Sequence, residues 1–323
     1  MYKVCSLFAG VGGIDLGFLQ TNECEVVYAN EFDKYAVTTY EKNFKTKVDC
    51  RDIHEVKLEE IPEFDIMVGG FPCTSFSVAG YRKGFEDDRT GDLFFEMERI
   101  FKVRKPRVIF LENVKNLVGH DNGNTFRTII KCLEEAGYKD KIRYNVLNAC
   151  EYGDVPQNRE RIYIVAFREK EDYDNFQMPL PIQLNTTIKK VFNFDGKVDE
   201  KYYYTEGKFK GDIYKQLSEE MNDDNTVYQW RRKYVRKNQS NLVPTLTANM
   251  GEGGHNVPLI KTKYGIRKLT PIECFYAQGY PQNYVLPDNM SDARLYKQAG
   301  NSVVVPVINR IANNIVSALD STN

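Results

Sequence analysis

The spacing of apolar residues in the first half of the chain predicts strands that alternate with helices. Short apolar runs rich in β-branched residues occupy 4–8, 25–29, 65–68, 107–111 and 161–167. Between them, apolar residues recur at three- and four-residue intervals, which is typical of helices that bury one face. This alternation predicts an α/β fold with a doubly wound, largely parallel sheet.

The pattern changes after about residue 175. The stretch 176–288 is polar and lacks clean periodicity, which predicts a smaller domain of irregular β structure. Helical spacing returns at the end of the chain, where Ser302 is a predicted N-cap and Pro306 falls in the first turn. We therefore predict a main domain formed by 1–175 plus 289–323, and a second domain at 176–288.

Composition indicates an ordinary globular protein, with 42% hydrophobic and 28% charged residues among 323. No apolar run approaches the roughly 18 residues of a membrane span, and the first residues lack the layout of a signal peptide. A soluble, cytoplasmic protein is expected. The seven cysteines include no C-x-x-C pair and the three histidines lie apart from them, so neither a disulfide framework nor a metal site is expected.

Charge is distributed unevenly, although the net charge is only −1. Residues 201–270 contain 13 lysines and arginines against 7 acidic residues. A basic segment in a neutral protein indicates a localised anionic ligand such as nucleic acid, and a solvated charged surface is the alternative.

A glycine-rich turn, Phe-Ala-Gly-Val-Gly-Gly at 8–13, follows the first predicted strand and opens a helix. Glu31 ends the second strand, where an acidic residue commonly binds ribose hydroxyls. A dinucleotide fingerprint would place its third glycine at Asp15, so the spacing favours an adenosine cofactor without a pyrophosphate. A purely structural glycine turn is the alternative.

Two further motifs place reactive side chains at the ends of predicted strands. Gly-Gly-Phe-Pro-Cys ends at Cys73, and Leu-Glu-Asn-Val contains Glu112. If their strands are neighbours about 4.8 Å apart, the thiol and the carboxyl can bind one planar substrate. A buried apolar thiol and a surface acid are the alternatives.

Gln-Asn-Arg-Glu-Arg at 157–161 leads into the last strand of the series. Period-two alternation places Arg159 and Arg161 on one face, where they can bind a carbonyl oxygen or phosphate, or stabilise a thiolate. A surface ion-pair cluster is the alternative.

Taken in order, these motifs resemble those of the bacterial DNA cytosine-5 methyltransferases of restriction–modification systems. The resemblance includes Asp52-Ile53, Arg-Lys-Leu-Thr-Pro-Ile-Glu at 267–273 and Gln-Ala-Gly-Asn-Ser-Val at 298–303, and it spans nearly the whole chain. It implies a Rossmann-like S-adenosylmethionine methyltransferase domain with a smaller target-recognition domain. Two departures are Thr74, where the family usually has Gln, and Arg51, where it usually has Gly.

The resemblance also implies roles for single residues. Cys73 would attack C6 of a flipped-out cytosine, Glu112 would bind N3 and the exocyclic amine, Arg161 would hold O2, and Arg159 would support the thiolate. The positions matching the site of S-adenosyl-L-methionine, whose product is S-adenosyl-L-homocysteine, are Phe8, Gly10, Gly12, Glu31, Asp52, Ile53, Pro72, Leu93, Asn301, Ser302 and Val303.

Double-stranded DNA is the implied partner. Residues 74–90 are similar to the family's mobile catalytic loop, and the segment around Thr245-Leu246 to its recognition segment. The basic, hydroxyl and amide side chains expected to contact DNA are Ser77, Arg82, Lys83, Arg89, Arg231, Arg232, Arg236, Thr245, Thr247 and Asn249.

Three alternative functions stay open on the sequence. They are a tRNA cytosine-5 methyltransferase, a non-catalytic DNA-binding relative and a nicotinamide oxidoreductase; the missing third glycine disfavours the last. By the same resemblance we expect a monomer without metal or membrane association, paired with a restriction endonuclease that acts on the same site.

Overall fold

The structure is a computed structural model that describes residues 1–71, 93–208, 212–231, 233–238, 240–252 and 256–322. The chain forms two compact units. Unit 1 contains Met1–Leu147, Glu160–Leu180 and Val307–Asn323, and unit 2 contains Asn148–Arg159 and Pro181–Pro306. This division differs from the predicted domains at 148–159 and 289–306, which group with unit 2, and at 176–180, which group with unit 1.

The described part of unit 1 is built around a seven-stranded sheet in the order β3-β2-β1-β4-β5-β7-β6. Neighbouring strands from β3 to β5 are parallel, and β5 pairs with β7 antiparallel. The predicted largely parallel sheet is thus confirmed. Its strands are β1 (Tyr2–Leu7), β2 (Cys24–Asn30), β3 (Val48–Asp49), β4 (Ile66–Gly69), β5 (Val108–Val114), β6 (Ile142–Asn148) and β7 (Glu160–Phe167).

Helices connect these strands, and the helices Leu93–Arg104 and Asn124–Leu133 bury their apolar faces in a core shared with β1, β4, β5 and β7. Asp33 caps one of the connecting helices by accepting a hydrogen bond from the Tyr35 backbone N–H. Another continues into a π-helical turn at Glu134–Tyr138, where Gly137 has a φ of +105°. The helices are α1 (Gly13–Leu19), α2 (Lys34–Asn43), α3 (Leu93–Arg104), α4 (Asn124–Leu133), α5 (Ala149–Tyr152) and α6 (Lys170–Asn175). Short 3-10 turns lie at Ile53–Glu55, Leu58–Glu60, Lys115–Val118 and His120–Gly123.

Unit 2 contains a small antiparallel sheet in the order β11-β10-β8-β9, which packs on a separate apolar cluster. The strands are β8 (Tyr228–Trp230), β9 (Val235–Lys237), β10 (Leu259–Thr262) and β11 (Gly265–Lys268). The remaining helices along the chain are α7 (Ile188–Val191), α8 (Ile213–Glu220), α9 (Pro271–Tyr276), α10 (Asp292–Asn301) and α11 (Val305–Asp320), with 3-10 turns at Glu200–Tyr202 and Ala248–Gly251.

The two C-terminal helices correct one prediction. Ser302 is the C-cap of α10, where its N–H donates to the Ala299 carbonyl, and it is not the N-cap of α11. Pro306 does lie in the first turn of α11, as predicted. By length and composition Asp292–Asp320 could cross a membrane, but 67% of its most apolar window is buried inside the protein, as in core helices.

Candidate active site

The glycine turn at 8–13 has the backbone of a ligand-binding loop. Phe8, Gly10 and Gly12 have φ values of +55°, +56° and +81°. Gly12 caps α1, and a Cβ there would lie 2.2 Å from the ring of Phe44, so only glycine fits. The turn therefore brings its backbone to the start of α1 at the carboxyl edge of the sheet, as the sequence predicted.

Glu31 holds this loop against the end of β2. Its carboxylate accepts the Gly10 N–H at 2.9 Å and the Asp33 N–H at 2.8 Å. Burial raises the pKa of the Glu31 carboxyl, and the two backbone hydrogen bonds oppose that rise. An acidic group is thus fixed beside the glycine turn, where the prediction placed a ribose-binding residue.

Two more predicted cofactor residues follow at the same edge. Asp52 begins a 3-10 turn, accepts the His54 N–H at 3.1 Å and pairs with the His54 ring at 2.5 Å. The backbone hydrogen bond is the main cause of the lowered pKa of Asp52. Ile53 is buried beneath the turn, and Leu93, at the start of α3, packs against the core.

Phe32 is a candidate that the sequence interpretation missed. It directly follows Glu31, and 71% of its surface is exposed. A large aromatic ring left exposed next to a ligand-binding carboxylate is typical of a binding surface. The sequence could have indicated Phe32 because it directly follows Glu31.

A buried carboxyl lies beneath the glycine turn. Asp15, in the first turn of α1, is fully buried and accepts hydrogen bonds from Ser6 Oγ at 2.5 Å and Tyr40 Oη at 2.6 Å. Desolvation raises the pKa of Asp15 to about 6, and the two hydroxyls limit the rise. The group links β1, α1 and α2 directly below the loop.

Glu112 and Arg161 form an ion pair at the ends of neighbouring strands. β4 and β5 are adjacent, with Gly69 opposite Leu111, as the two-motif hypothesis required. Arg161 Nε lies 3.1 Å from Glu112 Oε1, and both side chains are largely buried. A Cβ on Gly70 would lie 3.3 Å from Glu112 Oε2. The Glu112 carboxylate therefore lies against the backbone that leads, three residues later, to position 73.

Asn113 was also missed as an individual residue. Its side-chain amide donates to the Phe71 carbonyl at 2.7 Å, and its carbonyl accepts the Val114 N–H at 2.8 Å. This hydrogen bond joins the end of β5 to the chain that follows β4. The motif containing it was noted, but nothing in the residue type predicts this partner.

Seven predicted residues lie outside the described parts of the chain, and their placement stays a prediction. They are Pro72, Cys73, Ser77, Arg82, Lys83, Arg89 and Arg232. The predicted mobile loop at 74–90 falls in the same gap.

The Arg159 side chain hydrogen-bonds to backbone carbonyls within unit 2. Its guanidinium donates to the carbonyls of Leu246 at 2.7 Å, Gly300 at 3.2 Å and Ser302 at 2.5 Å. The side chain is 3% exposed. The structure thus gives Arg159 backbone partners, while Arg161 has a carboxylate; the predicted support of a thiolate by Arg159 stays a prediction.

The predicted DNA-contact segment in unit 2 alternates between exposed and buried residues. Thr245, Thr247 and Asn249 are exposed, whereas Leu246 and Met250 are buried. Among their polar groups, Thr245 Oγ donates to the Asn158 carbonyl at 2.7 Å and Thr247 Oγ donates to Asn249 Oδ1 at 2.5 Å. The segment therefore presents three polar side chains to solvent on a backbone fixed by apolar neighbours.

The small sheet has two hairpin turns, at 231–234 and at 263–264. Because β8 pairs antiparallel with both β9 and β10, these turns lie at opposite ends of the sheet. Arg231 and Arg236 are exposed, as is Tyr234 in the first turn. Strand β10 therefore begins at the end of the sheet where β8 turns into β9.

The predicted cofactor residues 301–303 lie at the end of α10 in unit 2, where Asn301 is the last helical residue and Ser302 the C-cap. Asn301 is exposed, whereas Ser302 and Val303 are buried. Ser302 Oγ hydrogen-bonds to the Tyr280 hydroxyl. Within the described residues, no cluster of His, Cys, Asp and Glu suits a metal ion.

The fold and the site are those of an α/β protein in which a glycine turn, the Glu31 carboxylate and a carboxylate–arginine pair share one sheet edge. The sequence model of the family described as C-5 cytosine-specific DNA methylase matches residues 2–317. The chain belongs to this family.

Individual relatives agree with the family match. The chain is 61% identical over 319 residues to Type II methyltransferase M.Bsp6I of Bacillus sp. (strain RFL6), covering 99% of this chain and 100% of that protein. It is 41% identical to Type II methyltransferase M.HhaI of Haemophilus parahaemolyticus, covering 98% and 95%. The crystal structure of S. pombe Dnmt2 methyltransferase has the same fold, with a TM-score of 0.74, 17% identity and coverage of 99% and 100%.

The protein is therefore an S-adenosylmethionine-dependent DNA cytosine-5 methyltransferase, and the predicted family, fold class, reaction and cofactor are confirmed. The family description names DNA, which favours DNA over the tRNA alternative.

Proposed function

We propose that this methyltransferase works through a covalent adduct between Cys73 and C6 of a flipped-out cytosine in a specific short duplex site. The observation that carries the proposal is the Glu112–Arg161 pair, which lies at the carboxyl end of β5 beside Gly70. Cys73 is the third residue after that glycine. The carboxyl and the guanidinium thus lie at the sheet edge where an open α/β sheet binds its substrate, and we propose that the Cys73 thiol acts there with them.

The chemistry explains why these three groups are needed. C5 of cytosine is a poor nucleophile, and addition of the Cys73 thiolate to C6 converts the ring to an enamine that is nucleophilic at C5. Glu112 binds N3 and the exocyclic amine and offsets charge that develops in the ring, while Arg161 holds O2. Once C5 has formed its bond to the methyl group, a base takes the C5 proton, and the thiolate leaves C6 as the C5–C6 double bond and the aromatic ring re-form. The base has to leave the duplex first, at a cost of a few kcal/mol.

The residues around the glycine turn fit S-adenosylmethionine. Glycines at positive φ leave room for a ligand against the backbone, and Glu31 is a half-buried acid suited to ribose hydroxyls. Phe32 offers an exposed ring for the adenine. The cofactor supplies an electrophilic methyl group on a sulfonium. We assign Phe8, Asp52, Ile53, Pro72, Leu93, Asn301, Ser302 and Val303 to the same site.

We assign DNA binding to unit 2, which contains most of the target-recognition domain predicted at 176–288. The basic turn after β8 and the exposed Thr245, Thr247 and Asn249 supply phosphate and base contacts. Ser77, Arg82, Lys83 and Arg89 would meet the DNA from the loop at 74–90.

We infer further that the protein acts as a cytoplasmic monomer. We also infer that it is paired with a restriction endonuclease of the same site, because its relatives are named Type II methyltransferases.

Methyl transfer from labelled S-adenosylmethionine to mixed-sequence duplex DNA tests the proposal. A duplex with 5-fluorocytosine cannot release a proton from C5, so we expect an SDS-stable protein–DNA adduct that Cys73→Ser lacks. Sequencing the methylated sites would give the recognised sequence. Normal turnover by Cys73→Ser would disprove the nucleophile, and label in tRNA but not DNA would favour the RNA alternative.

A further inference from the structure

Arg159 joins two segments of unit 2 that have different proposed functions. The first is the recognition segment, residues 245–251, and the second is the cofactor segment, residues 300–303. One guanidinium group donates to the Leu246 carbonyl in the first and to the Gly300 and Ser302 carbonyls in the second. Because the group is planar and buried, it fixes the distance between the two backbones.

Two glycines bring the recognition segment into backbone contact with helix α10. A Cβ on Gly300 would lie 2.1 Å from the carbonyl carbon of Thr247, and a Cβ on Gly251 would lie 2.2 Å from the carbonyl oxygen of Ala293. Both distances are far below any that real Cβ atoms allow. The recognition segment is therefore packed against helix α10 near both ends of the helix, with no space for independent movement.

We propose that Arg159 is a positioning residue that couples DNA binding to cofactor binding through α10. The proposal rests on the functions proposed above for the two segments. When DNA binds and orders the recognition segment, the Leu246 carbonyl fixes the Arg159 guanidinium. Because that guanidinium also binds the Gly300 and Ser302 carbonyls, it holds the cofactor segment in its binding conformation. Coupling of this kind is reciprocal, so the cofactor tightens DNA binding by the same factor.

Lysine at position 159 separates this role from a need for positive charge. Arg159→Lys keeps the charge, but one ammonium on a flexible stem cannot reproduce the fixed geometry toward three carbonyls. Gly300→Ala perturbs the same contact from the helix side. Gly119→Ala is a matched control, because Gly119 has a φ of −96° and a Cβ there meets nothing within 4 Å.

The test measures the affinity for S-adenosylhomocysteine with and without a saturating duplex that contains the methylated site, and the affinity for the duplex with and without S-adenosylhomocysteine. We expect each ligand to tighten the other about tenfold in the unchanged protein and in Gly119→Ala. In Arg159→Lys and Gly300→Ala we expect the factor to fall below about threefold. Full coupling in both folded variants, or no coupling in the unchanged protein, would overturn the proposal.

Hydrogen exchange provides a second measurement that needs no variant. S-adenosylhomocysteine alone should slow amide exchange in residues 245–251 of the unchanged protein several-fold, and unchanged exchange there would also overturn the proposal. Failure of the proposed function is distinguishable, because the unchanged protein would then bind no S-adenosylhomocysteine or no duplex in the single-ligand titrations. That result would remove the coupling proposal as well.

Discussion

The buried carboxyl of Asp15 should make the stability of this protein fall as pH rises from about 4 to 6. Desolvation raises its pKa from 3.8 to about 6 in the folded protein, whereas an unfolded chain hydrates the group fully. The folded state therefore binds more protons than the unfolded state between these two values. By linkage, the contribution of Asp15 to stability is complete below pH 3.8, is lost as pH rises through about 6, and is constant above that.

The pKa difference of about two units corresponds to about 3 kcal/mol, because each unit is worth about 1.4 kcal/mol. Asp15→Asn removes the charge and keeps an oxygen for a hydroxyl donor. As pH rises from 4 to 7, we expect the free energy of unfolding of Asp15→Asn to increase by about 3 kcal/mol relative to that of the unchanged protein. At about 2.1 cal/mol/K per residue, that gain raises the variant's relative Tm by about 4 °C if the whole chain unfolds together.

The assay is unfolding of both proteins from pH 4 to 8, with the difference plotted against pH so that all other titrating groups cancel. Tyr40→Phe removes a hydroxyl that stabilises the carboxylate at 2.6 Å. It should therefore move the pH dependence to higher pH. A stability difference between Asp15→Asn and the unchanged protein that stays constant with pH, or that falls as pH rises, would refute this reasoning.

Three further predictions concern separate parts of the molecule. Glu273→Gln should destabilise the protein by about 3–5 kcal/mol in an unfolding titration, because it leaves the fully buried Arg267 guanidinium without its carboxylate at 2.7 Å; a change below 1 kcal/mol would contradict it. Phe32→Ala should raise the KM for S-adenosylmethionine about tenfold at unchanged Tm, since a lost ring contact is worth about 1–2 kcal/mol; an unchanged KM would exclude Phe32 from the site. Tyr234→Ser should weaken duplex binding about tenfold in fluorescence anisotropy, whereas Tyr264→Ser at the opposite end of the small sheet should not; equal effects would place the DNA elsewhere.

The sheet edge was predictable because it depends on a simple geometric rule. Parallel strands end at one edge, so the glycine turn, Glu31 and Glu112 were expected there from strand positions alone. The register of β4 and β5 confirmed that their strands are neighbours. Sequence spacing sufficed because each residue's place was set by its own strand.

Features that depend on long-range packing could not be predicted in this way. Helical periodicity cannot decide whether Ser302 ends one helix or begins the next, because both helices are apolar on the buried side. The grouping of 148–159 and 289–306 with unit 2 likewise depends on contacts far apart in the chain. The hydrogen bond from Asn113 to Phe71 spans 42 residues, and no local pattern specifies it.

The two arginines of the motif at 157–161 show most clearly where sequence interpretation stops. Alternation predicted that Arg159 and Arg161 share a face and converge on one target. In the structure the chain passes from unit 2 to unit 1 between Arg159 and Glu160. Arg159 binds backbone carbonyls in unit 2, and Arg161 pairs with Glu112 in unit 1. The same substitution should therefore have different effects at the two positions. Arg161→Lys should lower the turnover number, because Arg161 is proposed to hold the cytosine. Arg159→Lys should instead reduce the coupling between duplex binding and S-adenosylhomocysteine binding.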